Sequence, residues 1–204
     1  MLTSIVIALA MFTAVSPAPE NTFGRNPPQR LSKWYTKKAC RVMRNTPADA
    51  CPYTTAAAAM YESGFRTTAV GGRGELGMFQ VMCAHWDKEL KSIGFRNCAT
   101  AMYSESRSPM AYAHILKYLQ ANYPKDCGGD KVFSCYNGGP RWSKNVRSCL
   151  RHAKTAKAIK KCRGPIHYQS GLAKHRSFLK RQPALAGCAA EWWTRTHDGR
   201  VAGL

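Results

Sequence analysis

The stretch Pro52-Tyr53-Thr54-Thr55-Ala56-Ala57-Ala58-Ala59-Met60-Tyr61-Glu62-Ser63-Gly64-Phe65 decides the reading of the fold. Proline suits a first helical turn, where its missing N–H has no partner to lose. Ala56 to Ala59 are strong helix formers, and Gly64 is a natural C-terminal stop. The stretch therefore predicts one helix from Pro52 to Gly64 with Glu62 in its last turn. A carboxylate at the negative end of a helix is disfavoured as an anion, so its pKa is pushed upward. A raised pKa suits a general acid, but the helix alone does not separate that role from a solvated surface glutamate.

Working outward, Leu31, Trp34, Tyr35, Ala39, Val42 and Met43 recur at three- and four-residue spacing, which predicts an amphipathic helix ending before Thr46-Pro47. On the other side, residues 67–77 are a glycine-dense loop, and residues 78–82 are apolar enough for a short strand or buried turn. Further helices are expected at 84–93, at 109–122 and around 131–136. Two more are expected within 141–182, divided by Arg163-Gly164-Pro165, and residues 183–204 read as an irregular tail carrying Trp192-Trp193. No long alternating strand series occurs, so the class is mainly α (α+β) with a short β element.

The chain has 204 residues, and Lys and Arg number 31 against 11 Asp and Glu for a formal net charge of +20. One domain able to bury its own core is expected, with polyanions as natural partners: nucleic acid, anionic lipid or an anionic cell-wall polymer. Residues 1–18 carry no charge and hold an apolar run with the length of a signal-peptide core, so they read as a signal peptide or an N-terminal membrane anchor. Residues 19–29 read as a linker, 30–182 as the folded domain with a motif core at 50–142 and a basic helical lobe at 141–182, and 183–204 as the tail. The nine cysteines form no Cys-x-x-Cys pair, so zinc spacing is absent. With an export signal, this usage indicates disulfides in an oxidising compartment and one cysteine left over, with the pairing open.

Three segments occur in order: Glu62-Ser63-Gly64-Phe65, then Gly74-Glu75-Leu76-Gly77-Met78-Phe79-Gln80, then Tyr136-Asn137-Gly138-Gly139-Pro140. Together they resemble the soluble lytic transglycosylases of the lysozyme-like superfamily, whose pattern is Glu-Ser-Gly-Phe at a helix end, a glycine-rich turn into Gly-Leu-Met-Gln, and a later Ala-Tyr-Asn-Ala-Gly-Pro. The resemblance covers residues 50–142. It implies a lysozyme-like transglycosylase domain acting on peptidoglycan glycan strands; the basic segment 141–182 reads as a helical C-terminal extension of that domain, and no cofactor or metal is expected. By the same resemblance Glu62 carries the catalytic carboxyl, and Ser63, counted with the substrate-binding residues, helps to set the hydrogen bonding of the site. Met78 and Gln80 contact the sugar from the cleft, Tyr136 hydrogen-bonds the catalytic carboxyl, and Asn137 contacts substrate. The chain departs from the pattern in having Met78-Phe79 for Leu-Met, and Cys135 and Gly138 where the pattern has alanines.

Ordinary glycosidases flank the scissile bond with two carboxylates, and substrate-assisted enzymes are among the exceptions. The resemblance implies the exception: one glutamate acts as acid and then base, the substrate's N-acetyl group stabilises the developing cation, and a 1,6-anhydro ring forms. A hydrolytic muramidase on the same fold is the nearest alternative, and a non-enzymatic cationic wall-, membrane- or nucleic-acid-binding protein is another. Glu75 reads as structural or exposed, and Asp87 and Glu89 as a solvated helix face among Lys88 and Lys91. Gly72-Arg73-Gly74-Glu75-Leu76-Gly77 satisfies G-x-G-x-x-G literally, yet it follows a helix and lies in no strand-turn-helix unit, so no dinucleotide site is expected. Cys83 and His85 are read as no thiol dyad, and His114, His152, His167, His175 and His197 lack metal-ligand spacing. The lobe with Arg147, Arg151, Lys154, Lys157, Lys160 and Lys161 suits adsorption to anionic wall polymers or outer-leaflet lipid, and no specific nucleic acid is expected. Location in the periplasm, envelope or a virion, and assembly in a virion or secretion machine, are compatible settings.

Overall fold

The computed structural model describes residues 27–197. The segment read as a leader or anchor (1–18) lies outside them, as do most of the linker and the last residues of the chain. No helix of the described residues is long and apolar enough to cross a membrane.

At the centre lies α2 (Pro52–Ser63), ended by Gly64 in the left-handed conformation at φ 61°. Ala56 to Ala59 and Met60 are fully buried, so this helix is encased rather than amphipathic, as an alanine run permits. Against it pack α1 (Lys33–Arg44) and α10 (Gly164–Lys180). Helices α2 and α10 approach so closely at Gly171 that a Cβ there would stand 2.4 Å from the Tyr61 ring. Between them in sequence come α3 (Cys83–Ser92), α4 (Cys98–Met102), α5 (Ser108–Asn122), α6 (Pro124–Cys127) and α7 (Lys131–Gly138). The expected short β element is present as two bridges, Val70 to Leu76 and Leu76 to Val81. They fold the glycine-dense loop back on itself at Gly77 (φ 70°), where a Cβ would meet the Met102 carbonyl at 2.2 Å.

Two expectations on the C-terminal side are corrected. The 141–182 segment forms three helices rather than two, α8 (Trp142–His152), α9 (Ala156–Cys162) and α10, because Thr155 caps α9 through its hydroxyl and starts a new helix after a short break. The expected irregular tail is instead α11 (Pro183–His197) across its described part. Its Pro183 sits at the first helical position, and the helix is fastened to α1 by the Cys40–Cys188 disulfide, by Arg44 Nε to Glu191 Oε2 (2.6 Å), and by Trp192 Nε1 donating to the Thr46 carbonyl (2.9 Å). Trp192 is buried in this contact, whereas Trp193 is exposed and stacks on His197.

The remaining disulfides are Cys83–Cys98, Cys127–Cys135 and Cys149–Cys162, and Cys51 is left free and exposed. Three bridges close short loops, of 8 to 15 residues in sequence separation, and Cys40–Cys188 spans 148. In the chain-entropy view the long closure constrains the unfolded state most, by roughly 4 to 5 kcal/mol before any offset.

Candidate active site

A cavity of about 540 Å³ opens between the end of α2, the Gly71–Gln80 loop, α3 and the Tyr136–Pro140 segment. Glu62 faces into it from the last turn of α2. Burial is the largest influence on this carboxyl and pushes its pKa up to about 8; nearby Glu75 raises it further, while the Tyr168 hydroxyl and Arg73 oppose the rise. The direction matches the expectation from the helix end, but the cause is chiefly loss of water.

The dry surroundings are aromatic. Phe79 stacks on Tyr112 at 4.5 Å, Tyr112 meets Tyr136 edge-on at 5.0 Å, and Tyr61 meets Tyr168 edge-on at 5.1 Å. Burial, with the Glu62 charge second, raises the pKa of Tyr112, Tyr136 and Tyr168, so all three stay neutral hydrogen-bonding groups. The Tyr168 hydroxyl interacts with the Glu62 carboxyl without reaching ordinary hydrogen-bond geometry.

The opposite wall is polar. Arg73 binds Glu75 twice over, its Nε at 2.8 Å and Nη2 at 2.7 Å from Oε1, and its backbone N–H donates to Oε2 at 2.9 Å. Burial raises the Glu75 pKa, but these hydrogen bonds and the Arg73 charge outweigh it and hold the carboxyl below its ordinary range. Gln80 has positive φ (53°), and its Nε2 donates to the Gly77 carbonyl at 2.9 Å. Phe65, just past the α2 stop, is the other non-glycine residue with positive φ among those described (65°), so the backbone is strained on both sides of the cleft.

The sequence-derived residues separate into two groups. Glu62, Gln80, Tyr136 and Asn137 line the cavity together. Ser63 and Met78 do not: Ser63 is buried, its hydroxyl donating to the Met78 carbonyl (2.9 Å) and accepting from the Arg66 N–H (3.0 Å), and Met78 lies wholly in the core. Both are corrected from substrate contacts to a fastening that holds the cleft loop to the end of α2. Tyr136 is corrected too, since its hydroxyl donates to the Phe79 carbonyl at 2.7 Å rather than to Glu62. The phenol that lowers the carboxyl's pKa is Tyr168, which sequence reasoning passed over because it falls in α10, 106 positions along from Glu62.

Other unassigned residues resolve similarly. Cys83 is in a disulfide, so it forms no thiol dyad with His85, although His85 and Trp86 do line the cleft. Asp87 accepts from the Cys98 N–H (2.8 Å) and Glu89 pairs with His114 (2.7 Å), so this face is tied down rather than merely solvated. His175 is a core residue, buried against Tyr61. Among the described residues no cluster of three or more His, Cys, Asp or Glu groups gathers to hold a metal.

A mainly helical domain with a dry carboxyl at a helix end, opening on a cleft, is consistent with a lysozyme-like fold. The family model described as the transglycosylase SLT domain matches residues 46–160, and the chain belongs to that family. No curated protein and no solved structure gave a significant match. Membership carries a peptidoglycan-directed, glycosidic-bond-cleaving activity of the lytic transglycosylase type, acting in the cell envelope.

Proposed function

We propose that the chain is a peptidoglycan lytic transglycosylase that cleaves the β-1,4 bond between N-acetylmuramic acid and N-acetylglucosamine, with Glu62 as its acid and base. The observation that carries the reading is a carboxyl pushed up to about 8 and therefore protonated at neutral pH, at the floor of the cleft. Protonated Glu62 gives its proton to the glycosidic oxygen as the C1–O bond breaks. The carboxylate then takes the proton of the muramyl 6-hydroxyl as that oxygen bonds to C1, closing the 1,6-anhydro ring and restoring Glu62. No water is consumed. Gln80 and Asn137 are assigned to sugar contacts and Trp86 to a stacking platform, while Ser63, Tyr136 and Tyr168 hold the site in shape.

Glu75 favours a second reading. An ionised carboxylate that shares the cleft with a protonated one is the pairing that an inverting hydrolase uses to activate water. Its two-pronged hold on Arg73 weighs against that, because both oxygens are already engaged. Mass spectrometry of the muropeptides released from purified peptidoglycan tests both. The transglycosylase yields anhydromuramic ends, lost in Glu62→Gln; reducing ends from the wild type would establish the hydrolase instead.

A further inference from the structure

Every charged side chain between Asp130 and Glu191 is basic. Arg147, Arg151, Lys154, Lys157, Lys160 and Lys161, on and between α8 and α9, are all exposed, and none makes an ion pair among the described residues. Some cations elsewhere are matched, Lys38 and Arg41 with Glu105, Arg44 with Glu191 and Lys117 with Asp49; on this hairpin six unmatched cations lie within fifteen residues of sequence. The Cys149–Cys162 disulfide staples α8 to α9 and holds these like charges side by side, where they repel until an anion arrives.

Two observations say which anion. Neither helix exposes a large apolar side chain, so the hairpin lacks the anchors with which a basic amphipathic helix enters a membrane surface. The hairpin also adjoins the cleft: Gly138 lines both the Glu62 cavity and a neighbouring one of about 390 Å³, whose walls include Trp142, Cys149 and Lys161 of the hairpin. An anion held there would lie beside a strand in the cleft.

We propose that the α8–α9 hairpin binds the carboxylates of the stem peptides carried by that glycan strand, so that the enzyme selects peptide-bearing over stripped glycan. This rests on the glycan-cleaving reading of the cleft and adds a substrate class to it. Exposed charges act over about a Debye length, ~10 Å at 0.1 M salt, which reaches substituents on sugars just outside the cleft and fades as salt is added.

Binding is measured in the full chain carrying Glu62→Gln, using labelled peptide-bearing glycan strands and the same strands stripped by an amidase. Replacing Lys154, Lys157, Lys160 and Lys161 together with Gln is expected to raise Kd for peptide-bearing strands about tenfold. For stripped strands the change is expected to stay under about twofold, and the corresponding fourfold Arg variant is expected to keep wild-type discrimination. Equal losses on both strands, no loss on either, or a loss confined to a glycerol-phosphate polymer or to phosphatidylglycerol vesicles would overturn the proposal. Because the readout is binding, it stands apart from the catalytic assignment, which fails separately if Glu62→Gln still cleaves the strands.

Discussion

The two walls of the cleft treat a carboxylate in opposite ways. On the helix wall Glu62 is surrounded by tyrosines and buried apolar groups, and its proton is retained to about pH 8. On the loop wall Glu75 is also mostly shielded, at 12 % side-chain exposure, yet it stays ionised because Arg73 supplies its backbone N–H, two guanidinium nitrogens and a charge. Burial pushes both upward; only one has the partners to reverse it. The division of labour within the cleft is therefore decided by what each carboxylate touches.

The largest effect expected from that contrast is the loss of activity in Glu62→Gln, by at least ~10² to 10⁴-fold with folding retained. Activity within a factor of about three of wild type, measured by turbidity loss of purified walls, would break the comparison at its centre. In the wild type kcat/KM should fall as pH rises through about 8, where Glu62 loses the proton it must donate.

Next in size is a stability effect. The folded-state pKa of Glu62 is raised from an ordinary value of 4.5 to about 8, so between those pH values the folded state binds more protons than the unfolded chain. Stability then declines with rising pH across that window, and the cost is complete above it, on the order of a few kcal/mol. Glu62→Gln should remove this slope, melting higher than wild type at pH 8 and no higher at pH 4. Parallel melting curves at both pH values would show that Glu62 is not held in a dry site.

The smallest effects test the coupling between the walls. Glu75 raises the Glu62 pKa and Tyr168 lowers it, so Glu75→Gln should move the alkaline limb of kcat/KM to lower pH and Tyr168→Phe should move it higher. Glu75→Gln should also cost about 1 kcal/mol of stability by releasing Arg73, itself an exposed partner. Limbs that moved in the same direction would break the account of two opposed influences on one carboxyl.

Much of the site was legible because its parts are local in sequence. Pro52, the alanine run and Gly64 place a helix and its stop, and Glu62 follows from that placement. Gln80 and Asn137 reach the cleft as the motifs imply. Ser63 and Met78 were misplaced because a motif names residues without saying which way they face: one side chain fastens the loop and the other fills the core. Helix α11 was hidden by a composition that reads as a tail, and it takes its place through a disulfide and a tryptophan bonded to α1.

By itself the sequence determined the helical class, the lone acid at a helix end, the unpaired ninth cysteine and the all-basic run, since each follows from neighbours within a turn or two or from simple counting. Only the tertiary structure decided that Tyr168 is the phenol against Glu62, that Arg73 neutralises Glu75, and that the cations lie on a stapled hairpin beside the cleft. Desolvation and charge pairing depend on distance in space, and folding brings together groups that the chain keeps far apart.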